Sequence, residues 1–133
     1  ETNDPSSVTE TPAADAPIDI NAPSTSKGVG AITSITLAAE IDAAMATSGE
    51  ALFTEKCTAC HKMDVKYVGP PLKGVVDRRT PEWIMNMMLN PEKMVAEDPL
   101  AKALLATYIA PMANQSLTEE QARAILEYFR TQI

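Results

Sequence analysis

The feature that most constrains this chain is a five-residue run, Cys57-Thr58-Ala59-Cys60-His61, which holds both of its cysteines and its single histidine. Two thiols three positions apart can each bond a vinyl group of a haem, and the imidazole that follows is then held against the iron. The run reads as a c-type haem attachment site, so the fold must close around that group. Other uses of the pattern fit less well. A structural zinc site needs four thiolate or imidazole ligands, and no second pair exists to supply them. A thioredoxin-like dithiol follows a strand, whereas Gly49 to Lys56 has a helical pattern. A plain disulfide stays open, but it leaves His61 without a role.

At 133 residues the chain has the length of one domain, and the core it could build unaided is modest. A haem would supply the missing apolar interior. The chain starts at Glu1 without an initiator Met, a basic segment or an apolar run, so an export signal is expected to have been removed or omitted. The longest apolar-leaning stretch, Leu100 to Met112, is broken by Lys102, Tyr108 and Pro111 and is too short to span a bilayer.

Residues 1–34 form a Pro/Ser/Thr/Ala-rich acidic extension with the composition of a linker. Three fates are open to it: a disordered tail, a tether left after a lipidated or membrane-anchored segment, or a wrapped surface segment, which is favoured. Charge divides along the same line. Residues 1–50 carry eight acids against Lys27, whereas residues 51–133 carry ten bases and ten acids, so the net −7 belongs to the front of the chain. Lys56, Lys62, Lys66, Lys73, Arg78 and Arg79 gather around the Cys-His run and the loop after it. They are either a rim that steers an acidic partner or an ordinary solvated surface. Nucleic acid is not expected for an acidic chain without interleaved aromatic and basic residues.

The periodicity predicts an all-α chain. An extra helix is expected at Ile35 to Ala46, within a 35–48 segment, and another at Gly49 to Cys60 with Leu52, Phe53 and Cys57 on one face. Thr80-Pro81, Asn90-Pro91 and Asp98-Pro99 each pair an N-cap residue with a proline suited to the first helical position, so helices should begin near 81, 91 and 99. Thr118 followed by Gln121 predicts a capping box that opens a last helix to about Thr131, with Ala122, Ile125, Leu126 and Phe129 inward.

With no second histidine, the other axial position on the iron becomes a question of methionine. Met85 and Met88 sit in a helical pattern as flexible core residues, and Met63 is too near His61 to reach the far face. Met112 follows Pro111 in an irregular segment between helices, where a side chain can turn toward a cofactor, so it is the favoured ligand. Met94 and the 85–88 group are the alternatives.

Residues 49–133 resemble the class I, mitochondrial-like, monohaem cytochromes c. Gly49, Phe53, Cys57-Thr-Ala-Cys60-His61, Gly69-Pro70-Pro71-Leu72-Lys73-Gly74, Arg78, Pro111-Met112 and the closing Leu117 to Arg130 fall in that family's order. The resemblance implies a cytochrome c fold of short helices around one covalent haem c, with His61 and Met112 on the iron. Pro70 would offer its carbonyl to the His61 ring N–H. Gly49, Phe53 and Tyr128 would form a crossing of first and last helices. Arg78 would lie near a haem propionate, and Trp83 would either donate its indole N–H there or serve as a core aromatic.

The resemblance further implies a one-electron carrier, not an enzyme, working in the periplasm or on the outer face of the cytoplasmic membrane, because bacteria attach haem covalently outside the cytoplasm. Its expected partners are redox proteins, a quinol-oxidising complex as donor and a terminal oxidase or anaerobic reductase as acceptor, met by a monomer through weak docking. Rival readings are a haem enzyme or gas sensor with an open sixth site, or a domain cut from a larger oxidase or reductase subunit.

Overall fold

The computed structural model describes residues 18–133, and the first seventeen residues of the extension, with the acids Glu1, Asp4, Glu10 and Asp15, lie outside them. The described chain is all-α. Its six helices are α1 (Ala43–Lys56), α2 (Val75–Arg78), α3 (Pro81–Leu89), α4 (Pro91–Glu97), α5 (Pro99–Tyr108) and α6 (Glu119–Arg130).

Helix starts follow the capping chemistry in the sequence. Thr80 accepts from the Trp83 N–H, Asn90 from the Lys93 N–H and Asp98 from the Ala101 N–H, each with proline at the first helical turn. At α6 the Thr118 hydroxyl and the Gln121 side chain cap one another's backbone N–H reciprocally. One apolar stripe of α6, Ala122, Ile125, Leu126 and Phe129, is buried.

That stripe packs chiefly on α1, and this pair of helices is the backbone of the fold. The crossing is tight at Gly49, where a β-carbon would lie 1.9 Å from the Ala124 carbonyl oxygen. No other residue fits there without separating the helices. One turn on, Phe53 meets Tyr128 and Phe129 with ring centroids 5.5 and 5.7 Å apart, the second pair edge to face. The crossing expected of Gly49, Phe53 and Tyr128 is therefore where these residues stand.

The helix expected at Ile35 to Ala46 is not formed. Residues 35–42 have no helical conformation, and α1 instead starts at Ala43 with Asp42 as its cap, the carboxylate accepting from the Met45 N–H at 3.0 Å. The physical reason is competition for backbone groups. Glu82 accepts the Ile35 N–H at 2.8 Å, Arg130 donates to the Ala38 carbonyl at 2.6 Å, and Glu127 accepts the Asp42 N–H at 2.7 Å. Groups that a helix would pair internally are held by the domain, and Ile32 to Thr36, β-branched at every position but Ser34, has little helical preference to resist. The expected helix at Gly49 to Cys60 also shifts. It belongs to α1 and ends at Lys56, so Cys57 to Cys60 form a turn rather than a helix end.

Residues 18–42 thus make a strap laid over α3 and the α6 end of the domain. No described helix is long and apolar enough to cross a membrane.

Candidate haem site

The α1 helix delivers the first thiol directly. Cys57 caps its C-terminus through an N–H bond to the Phe53 carbonyl, and the chain then turns so tightly that the Cys60 and His61 N–H groups both bond the Cys57 carbonyl, at 3.1 and 2.9 Å. Cys57 is buried and Cys60 exposed, and neither is in a disulfide. Burial pushes the Cys57 thiol up to about 11, with Cys60 adding to the rise and Lys56 opposing it. Such a thiol stays protonated, unlike the thiolate of a redox dithiol.

His61 is oriented by the loop that follows. Its Nδ1 lies 3.0 Å from the Pro70 carbonyl oxygen. A carbonyl only accepts, so Nδ1 carries the proton and Nε2 keeps its lone pair for a metal. Burial lowers the imidazole's pKa and the Pro70 bond partly offsets it, which favours the neutral ring at neutral pH. Gly69 makes the approach possible, because a β-carbon there would sit 2.6 Å from the ring's Cε1.

These groups open onto a cleft of about 310 Å³ with a mainly apolar lining. Cys57, Cys60, His61 and Pro70 line it, as do Arg78, Trp83 and Met112, so all seven residues predicted from the sequence meet at one site. The methionine alternatives separate. Met87 and Met88 reach the lining, whereas Met85 and Met94 do not. The Met94 sulfur instead accepts the Val29 N–H of the strap at 3.3 Å.

Of the two roles expected of Trp83, the core aromatic is the one taken. The Trp83 indole N–H is taken by the Asp98 carboxylate at 3.0 Å, in the buried interior, so it has no proton left for a haem propionate and only its ring faces the cleft. Arg78 lines the cleft, but its guanidinium donates to the Lys73 and Pro71 carbonyls at 2.8 and 3.1 Å and so braces the 71–73 loop. Arg79, grouped above with the positive rim, is buried and lines the cleft as well. So do Ile20 and Asn21 of the strap. Sequence reasoning passed over these three, for Arg79 is one position from an arginine of identical chemistry and the strap has no motif.

Two thiols and a pre-oriented imidazole on one wall of an apolar cleft fit a covalent haem, and define the molecule as a haem c-binding protein. Among the described residues no cluster of three or more His, Cys, Asp or Glu could hold a metal ion by itself. The cytochrome c family model matches residues 46–132, and the chain belongs to that family as a class I monohaem c-type cytochrome. It carries one covalent haem c on Cys57 and Cys60. A cytochrome c-551 of Stutzerimonas stutzeri is 61% identical over 33 residues, which are 24% of this chain and 32% of that relative, so the match spans about a third of its length. A solved cytochrome c from Rhodothermus marinus is 48% identical with a TM-score of 0.75, covering 77% of this chain and 88% of that one. An engineered form of it bound to a carbene intermediate is also 48% identical, with a TM-score of 0.72 and the same coverage.

Proposed function

We propose that the chain is a one-electron carrier with His61 and Met112 as axial ligands, exchanging electrons between a quinol-oxidising complex and a terminal oxidase or anaerobic reductase in the periplasm or at the outer face of the cytoplasmic membrane. The observation that carries the reading is the Nδ1 contact of His61 with the Pro70 carbonyl, which leaves Nε2 directed to ligation in a cleft that Met112 also lines. When bound, the haem supplies an iron that takes up and gives back one electron.

The chain's own residues do the rest. Cys57 fixes one edge of the group in the core and Cys60 the other at the surface, where a partner can approach. The apolar lining excludes water and favours the less charged ferrous state, as does a thioether ligand, so a positive potential is expected. Among the described residues the cleft lining holds no carboxylate to serve as the acid–base group of a peroxidase-like enzyme. The Met112→Ala variant tests the reading. Loss of the weak long-wavelength band of methionine-ligated ferric haem and a lowered potential are expected, while spectra identical to wild type would move the ligand to Met87 or Met88.

A second reading is favoured by one feature of the segment after α5. Ile109 and Ser116, both outside glycine, have φ of 69° and 56° on either side of Met112. Backbone strain on both flanks favours displacement of Met112 and an open sixth position for a small ligand. Rapid carbon monoxide binding to the ferrous protein would support this ligand-binding reading over a pure carrier.

A further inference from the structure

The strap lies outside the segment that the family shares, yet it reaches the haem cleft through Ile20 and Asn21. Buried side chains of the domain hold it by its peptide groups. Asn86, only 1% exposed, donates to the Lys27 and Ile32 carbonyls at 3.0 and 2.9 Å and accepts from the Ile32 N–H at 3.0 Å. Thr80 donates its hydroxyl proton to the Ser26 carbonyl at 2.7 Å, and the Ser24 N–H bonds the Arg78 carbonyl at 2.9 Å. This is a fitted segment and not a draped tail.

Arg79 is where strap and cleft meet. It is 6% exposed, and its guanidinium donates to the carbonyls of Ile20 and Ala22 in the strap and of Arg78. Its carbon lies 5.5 Å from the centre of the Trp83 ring. Among the described residues no carboxylate stands within ion-pair distance of it. Asp98 is the acid that influences it, but its Oδ2 accepts from Trp83 and Ala101 and its Oδ1 from the Ser26 hydroxyl. A buried cation without an anion is unfavourable, and three carbonyls offset that only in part, since a guanidinium has five N–H donors. A haem brings two propionate carboxylates into the same cleft.

We propose that the strap is a wall of the haem cleft, and that the Ile20 and Ala22 carbonyls aim the Arg79 guanidinium at a haem propionate, which makes Arg79 a positioning residue. Arg78, which is only half-buried and whose guanidinium braces the Lys73 and Pro71 carbonyls of the loop, takes the lesser part. The inference rests on haem occupying the cleft, and on neither the sixth ligand nor electron transfer.

The test reads the reduction potential against pH in the full-length holoprotein, with haem absorption as the check on loading. Ferric iron favours an ionised propionate, so the potential falls as pH rises through the propionate pKa. The charged side chains that line the cleft are Lys56, Arg78 and Arg79, and Asp98 acts on Arg79 from behind the lining. A guanidinium beside the propionate keeps the step in the acid range. Arg79→Gln should move it up by about 1–3 pH units, Arg79→Lys by less, and Arg78→Gln by less than Arg79→Gln. Gly28→Val unseats the strap without altering either arginine, because φ there is +71° and the β-carbon would lie 2.8 Å from the Met94 sulfur. With unseating verified by faster amide exchange at Val29 and Ile32, the step should move as it does in Arg79→Gln.

A fully loaded Arg79→Gln protein with an unmoved step overturns the propionate contact, and so does a larger shift in Arg78→Gln. An unseated strap with an unmoved step overturns the strap's part. Should Arg79→Gln fail to hold haem, Arg79→Lys decides. A lysine presents its donors from one nitrogen and lacks the fork that reaches the Ala22 and Ile20 carbonyls from two, so it is not aimed by the strap; an upward shift supports the proposal and a wild-type step sinks it.

Discussion

Ile109 stands 80% exposed with a φ of 69°, a conformation in which a β-branched side chain crowds its own backbone. Its N–H closes α5 on the Leu105 carbonyl at 2.7 Å, so the position is a helix cap that needs the backbone and not the side chain. Asparagine tolerates this region, and Ile109→Asn should raise the stability of the holoprotein by about 1 kcal/mol in denaturant unfolding. Gly49 predicts the opposite sign. Gly49→Ala must push α1 and α6 apart and should cost about 3 kcal/mol or more by the same measurement, and a loss of under about 1 kcal/mol would contradict the close approach. At this scale the haem-binding residues could be read because five adjacent letters carry their chemistry. Arg79 could not, because what distinguishes it from Arg78 is burial under a strap some 57 positions earlier.

Among the elements, Asp98 shows how one side chain can hold several. It caps α5, fixes Trp83 of α3, and accepts the Ser26 hydroxyl of the strap. Asp98→Ala removes the cap and strands a buried indole N–H, for a loss of about 3 kcal/mol, with about 1 kcal/mol from the cap and the rest from the unpaired donor. Asp98→Asn keeps one acceptor oxygen, which can serve the Trp83 and Ala101 N–H groups that share Oδ2, and should cost clearly less in the same thermal or denaturant series. The starts of α3, α4, α5 and α6 were legible in sequence because a cap and its partner lie within three residues of each other. The segment before α1 was misread for the converse reason. Its apolar spacing suits a helix, but its backbone groups are claimed by Glu82, Glu127 and Arg130 from far along the chain, and no local pattern records that.

Across the whole molecule the same carboxylates tie stability to pH. Burial opposes ionisation at Glu127, but the Asp42 N–H and the Arg123 and Arg130 guanidinium groups outweigh it and hold the carboxyl below the usual range. Glu82 is held low in the same way, with burial outweighed by the Ile35 N–H, its own N–H and Lys27. A carboxyl whose folded pKa is depressed stabilises fully above its unfolded pKa and loses that contribution as pH falls through the folded value. Denaturant midpoints should therefore be level near neutrality and decline from the ordinary glutamate range downward, with a shallower decline in Glu127→Gln. A slope unchanged by that substitution would remove Glu127 from the account. The all-α class and the haem domain could be read from periodicity and motif, whereas the strap's path could not, since only the folded domain supplies its partners. The contact of Gly49 with Ala124 also sets an order of events. A chain emerging from its N-terminus presents Cys57, Cys60 and His61 long before α6 exists, and a closure between positions 49 and 124 must wait for the final helix. Because Phe129 of that helix lines the cleft, an unfolded chain offers both thiols to the cofactor and the folded one seals it in.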